Sequence, residues 1–118
     1  MNILLVNFKS ESKNEINEYF RSQGYTVFTA QNDLEAVRIL NSENIHEAII
    51  RLTKIMNIGL INYINHHFKY LRTILVMNRY VEEAFSVIKK SGCEIINEPY
   101  TLSDFQNTIR HIEQPQHA

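Results

Sequence analysis

Short apolar runs alternating with stretches of helical periodicity constrain this chain more than any other feature. The runs occupy residues 2–7, 25–30, 46–52, 72–77 and 93–97, returning every twenty-odd residues. The run through Ala48, Ile49 and Ile50 has no polar gaps, as expected of a strand buried on both faces of a parallel sheet. Between the runs the pattern shifts to helical spacing. Ser10 or Ser12 is placed to cap a helix reaching about Gln23, with Ile16, Tyr19 and Phe20 inward and Gly24 as its stop. Asn32 or Asp33 caps the next, whose apolar face uses Leu34, Val37 and Leu40, with Ala36 as a further candidate. Asn57 opens a third helix carrying Ile58, Ile61, Ile64 and Phe68. Residues 81–90 form a fourth, with Ala84, Phe85 and Ile88 inward and Gly92 closing it. Residues 103–113 form the last, with Phe105, Ile109 and Ile112 inward. Strands alternating with helices imply βαβ units, hence a doubly wound α/β domain with a five-stranded parallel sheet and five helices.

Length fits one domain over residues 1–113, followed by a polar tail at residues 114–118. The net charge of −1 gives no electrostatic footprint for a nucleic acid, and no apolar run approaches the length of a membrane span. The amino terminus enters a strand pattern at once, without a signal peptide, and the lone Cys93 has no internal disulfide partner. A cytoplasmic location is the expectation.

The third run ends abruptly in Arg51. Functional groups of open α/β sheets gather just beyond the carboxyl ends of the strands. Arg51 therefore either turns to solvent or belongs to a site, and the neighbouring strand ends decide between these. Elsewhere the chemistry is thin. His66 and His67 are adjacent, so on a helix they point about 100° apart and make a poor metal pair. No Ser-His-Asp or Cys-His arrangement can be argued, and the isolated glycines make no phosphate-cradling loop. The expectation is a protein with no catalytic residues, no metal and no cofactor.

Several pieces, in order, resemble the receiver domain of bacterial two-component response regulators, the CheY-like branch of the flavodoxin-like fold. They are the first strand at residues 1–6, Gly24-Tyr25-Thr26-Val27, Glu35-Ala36, Gly59-Leu60, and residues 95–100 with Pro99 and Tyr100. The resemblance covers essentially the whole chain and implies strand order 2-1-3-4-5 and a cis bond before Pro99. The family's functional residues do not carry over. Its metal-binding acidic pair falls on Asn7-Phe8, and its phospho-accepting aspartate on Arg51. Its Ser/Thr falls on Asn78, its lysine on Glu98 and its aromatic switch on Ile95. The chain holds only two aspartates, Asp33 and Asp104, and both sit at expected helix starts, where a cap or first-turn role explains them.

The family ends its third strand in a carboxylate and its fifth in an ammonium. Here Arg51 and Glu98 reverse those signs, so a guanidinium–carboxylate pair is expected across the vacated pocket, with Asn78 nearby. The implied function is a phosphorylation-independent signalling module acting through protein partners. The resemblance also implies a surface, made of the fourth helix, fifth strand and last helix, for partners or a homodimer. Lys89, Lys90, Glu94, Asp104 and Arg110 would supply its charges. Two alternatives stand beside this reading. One is a sensor holding a small anion against Arg51 and Asn78, with Phe8 as an apolar wall. The other is the regulatory domain of a transcription regulator whose DNA-binding part lies elsewhere.

Overall fold

A computed structural model describes residues 1–53, 58–78 and 93–113. Five strands build one sheet: β1 (Asn2–Val6), β2 (Thr26–Ala30), β3 (Glu47–Leu52), β4 (Arg72–Met77) and β5 (Glu94–Asn97). Every pairing is parallel, and the order is β2-β1-β3-β4-β5, as expected. The described residues form four helices: α1 (Ser10–Ser22), α2 (Asp33–Ser42), α3 (Ile58–His67) and α4 (Leu102–Glu113). The expected helix at residues 81–90 and the tail at residues 114–118 lie outside the described residues.

Alternation along the strands divides the core in two. Ile3, Leu5, Ile49, Ile74, Val76 and Ile96 face one way, against Ile16 and Phe20 of α1 and Phe105 and Ile109 of α4. Leu4, Val6, Ala48, Ile50, Leu52, Leu75 and Met77 face the other, against Ala36 and Leu40 of α2 and Leu60, Ile61 and Ile64 of α3. Helices on both faces explain why the middles of the central strands are apolar on both sides. Among the described residues no helix is long and apolar enough to cross a membrane.

Three local expectations are corrected. Neither Ser10 nor Ser12 caps α1: the cap position is Lys9, whose extended backbone (φ −67°, ψ 153°) offers its carbonyl to Lys13 at 2.7 Å without side-chain help. Leu34 is 62% exposed. It lies two residues from Ala36, about 200° around the helix, so the buried line through Ala36 and Leu40 leaves it outside. Asn7 is not the last residue of β1. It adopts a left-handed backbone (φ 67°), which asparagine tolerates better than most side chains, and so turns the chain out of the sheet. By contrast, Asn32 caps α2 as anticipated, accepting from the Glu35 N–H at 2.9 Å while the Glu35 carboxylate accepts from the Gln31 N–H at 3.0 Å.

Candidate functional site

Register brings the strand ends together. Arg51 stands level with Val76 on β4, and Val76 with Ile96 on β5. Arg51 follows Ile49 by two residues and Glu98 follows Ile96 by two, so both side chains lie on the α1/α4 face of the sheet, beyond the apolar layer. The Glu98 N–H donates to the Met77 carbonyl at 2.7 Å, carrying the β4–β5 ladder one residue further and fixing where its side chain begins. Across this span Arg51 Nε donates to Glu98 Oε1 at 2.9 Å. The side chains are only 16% and 26% exposed, so water screens the pair less than it would a surface contact. The contact joins Nε to one carboxylate oxygen, and the guanidinium–carboxylate pair expected from the two strand ends is formed.

Asn7 braces the pair from behind. Its N–H donates to the Ala30 carbonyl at 2.9 Å. Its side-chain amide donates to the Arg51 carbonyl at 3.0 Å and to Thr53 Oγ1 at 3.1 Å. Phe8 turns inward and packs in the α1/α4 core at 8% exposure. Asn78 follows Met77 at the end of β4 and is half-buried. The peptide bond between Glu98 and Pro99 is cis, as the resemblance implied.

Two residues that the sequence had not assigned to the site, Ser12 and Tyr100, join it. Ser12 is hydrogen-bonded to Tyr100, linking α1 to the loop after β5. Together with Lys9, Glu15, Arg51 and Glu98 they line an open cavity of about 400 Å³. The Tyr100 pKa is raised above its ordinary 10.0, chiefly because burial disfavours the phenolate. The Ser12 hydrogen bond opposes the rise, Glu98 and Glu15 add to it, and Arg51 subtracts. A raised value means the folded chain holds the phenolic proton more tightly than the unfolded chain. That stability is complete below the unfolded value and is lost as pH rises through the folded one. Tyr100→Phe should therefore lose less stability than wild type between about pH 9 and about pH 11, read by urea unfolding at each pH.

Of the residues expected on an interaction surface, Glu94, Asp104 and Arg110 are described. Lys89 and Lys90 lie outside the described residues. Glu94 opens β5. Asp104 accepts from the Thr101 N–H at 2.7 Å in the first turn of α4 and lines a groove beside Ile95 and Asn97 of β5. Arg110 is six residues on, about 240° around the helix, and lines a different groove with Tyr19 of α1 and Gln23 just past its end. Among the described residues no three of the His, Cys, Asp and Glu side chains converge to hold a metal.

No family model matches the chain, and no curated protein matches it in sequence. Solved structures do. The receiver domain of a Francisella response regulator superposes with a TM-score of 0.80 at 16% identity, over 94% of each chain. A CheY-like receiver-domain protein from Methanospirillum hungatei gives 0.84 at 17%, over 94% of this chain and 91% of that one. The fold is that of a receiver domain. A third receiver-fold protein, the response regulator TrrA of Thermotoga maritima in complex with Mg²⁺ and BeF, gives 0.80 at 18%, over 94% and 97%.

The receiver family holds Mg²⁺ through strand-end acids, and the residues here do not fit that ion. Mg²⁺ takes oxygen ligands in near-octahedral geometry. The Phe8 side chain brings no oxygen and is buried, Asn7 offers a neutral amide in place of a carboxylate, and Arg51 brings a guanidinium that would repel a cation.

Proposed function

We propose that this chain is a pseudo-receiver: a non-enzymatic signalling module that works without aspartyl phosphorylation and acts through protein partners in the cytoplasm. The observation that carries this reading is the Arg51–Glu98 ion pair at 2.9 Å, standing where the resembled family keeps its phospho-acceptor and its lysine. In that family the site has two states because a phosphoryl group comes and goes. A guanidinium and a carboxylate joined covalently to the same chain favour one state continuously. A partly exposed pair of this kind contributes on the order of 1 kcal/mol, so it chooses a conformation more than it stabilises the fold.

A double-mutant cycle with Arg51→Ala and Glu98→Ala tests the pair, with a coupling of about 0.5–1.5 kcal/mol expected from urea unfolding. Coupling indistinguishable from zero would remove the lock. The functional half is tested by affinity capture from native lysate with wild type beside Arg51→Ala. A defined partner held by the wild type and lost by the variant is expected, and identical capture by both would detach partner choice from this pair.

A second reading has its own observation. The cavity of about 400 Å³ beside Arg51 carries Lys9 as a further donor, so a small anion has room to approach the guanidinium there. On that reading the anion competes with Glu98 for Arg51, and binding should tighten when Glu98 is replaced by Gln.

A further inference from the structure

A larger cavity, about 620 Å³, lies at the opposite, amino ends of the strands. Its walls are the residues before β3 and the segment joining α3 to β4. The volume is in the range of pockets that enclose small organic ligands, about 300–1,000 Å³. Its charge is lopsided. Glu47 is the one carboxylate among its described lining residues, and it is wholly buried with Arg72 Nη1 4.0 Å from its Oε1. The carboxylate is sealed from the cavity's solvent, while the Arg72 side chain remains 43% exposed and Lys69 stands exposed beside it. His46 accepts the Asn2 N–H on Nδ1 at 2.9 Å, so in the neutral ring Nε2 carries the hydrogen and is a further donor. The same lining supplies aromatic surface. Phe68 is half-buried against the α2/α3 core, and Tyr70 is 100% exposed, its ring uncommitted to the core.

From this cationic and aromatic lining we infer that the cavity binds a small aromatic anion, a flat ring carrying one phosphate or carboxylate. The ring lies against Tyr70 and Phe68, and the anion is held by Lys69 and Arg72. This site is independent of the proposed action of Arg51 and Glu98. Phosphate and carboxylate forms share the chemistry, and the choice of probes separates them.

The full chain is titrated with adenosine monophosphate and with 2-naphthoate, followed by calorimetry and by backbone amide shifts. Adenosine supplies a ring without charge, and ribose 5-phosphate a charge without a ring. Saturable binding of one anionic aromatic probe below about 1 mM is expected, with shifts centred on residues 44–46 and 66–72. The tighter of the two probes assigns the headgroup. Tyr70→Ala, at a fully exposed position, should weaken binding about tenfold, the loss of one stacked ring, and Lys69→Ala should weaken it severalfold. Arg51→Ala should leave it unchanged. The site is refuted by any of four results. They are no saturation by either probe, equal affinity for adenosine or ribose 5-phosphate, binding indifferent to both Tyr70→Ala and Lys69→Ala, or shifts centred on residues 9–16 and 98–102.

Discussion

Acetyl phosphate with Mg²⁺ is expected to leave the chain at its unmodified mass. Three requirements of aspartyl phosphorylation fail at once at the strand ends. A nucleophilic carboxylate is needed at the end of β3, and Arg51 is a guanidinium, a hydrogen-bond donor with no oxygen to attack. A divalent cation is needed to draw charge from the transferring group, and Asn7-Phe8 supplies no acidic pair. A cation is needed at the end of β5 to meet the phosphoryl oxygens, and Glu98 would repel them instead. The two aspartates offer no detour. Asp104 is engaged at the cap of α4 through the Thr101 N–H at 2.7 Å, and Asp33 opens α2. Because the failures are independent, Arg51→Asp alone should also stay unmodified, since Phe8 and Glu98 remain. Intact-mass spectrometry after incubation measures both chains. One phosphoryl group gained stoichiometrically by the wild type would overturn the reading of the whole pocket.

What could be read in advance followed the scale of the signal. Sheet order and the sorting of Ile49 and Ile50 to opposite faces depend on long apolar runs and alternation, which every residue of a run reports together. The sign reversal at Arg51 and Glu98 was legible because the two positions are set by strand register, and both side chains are long enough to span β4. Single-residue choices were not. Ser10 and Ser12 both suit a helix cap chemically, but the chain leaves Phe8 already extended at Lys9, and the Ser12 hydroxyl is drawn to Tyr100 instead. That link joins residues far apart in sequence, and no local pattern announces it. Leu34 looked inward by spacing from Val37, yet the stripe that packs on the sheet passes through Ala36 and Leu40. Glu47 is the clearest miss. The third run includes it without singling it out, whereas its neighbours seal it completely, with Arg72 Nη1 4.0 Å from one carboxylate oxygen.

The largest loss of stability from a single truncation is expected on the α1/α4 face, at Phe105. The ring is completely buried, and it meets Phe20 edge-on at 6.1 Å and Tyr100 edge-on at 4.9 Å between centroids. Phe105→Ala removes both aromatic contacts and leaves a cavity that backbone on three sides (α1, α4 and the sheet) cannot collapse to fill, so about 3–5 kcal/mol should be lost. Domains of this size hold only about 5–15 kcal/mol in total, which places the variant near the edge of folding. Urea unfolding should show a lower midpoint with little change in slope, and Leu34→Ser, on the exposed face of α2, should stay within about 0.5 kcal/mol of wild type. The effect also reaches the site. Tyr100 rests on Phe105 while holding Ser12, and it lines the cavity shared by Arg51 and Glu98. The milder Phe105→Leu should therefore keep the fold yet reduce the Arg51–Glu98 coupling measured in the double-mutant cycle. If Phe105→Ala costs less than about 1 kcal/mol, the ring is not the keystone of this face, and the packing that positions Tyr100 must come from elsewhere.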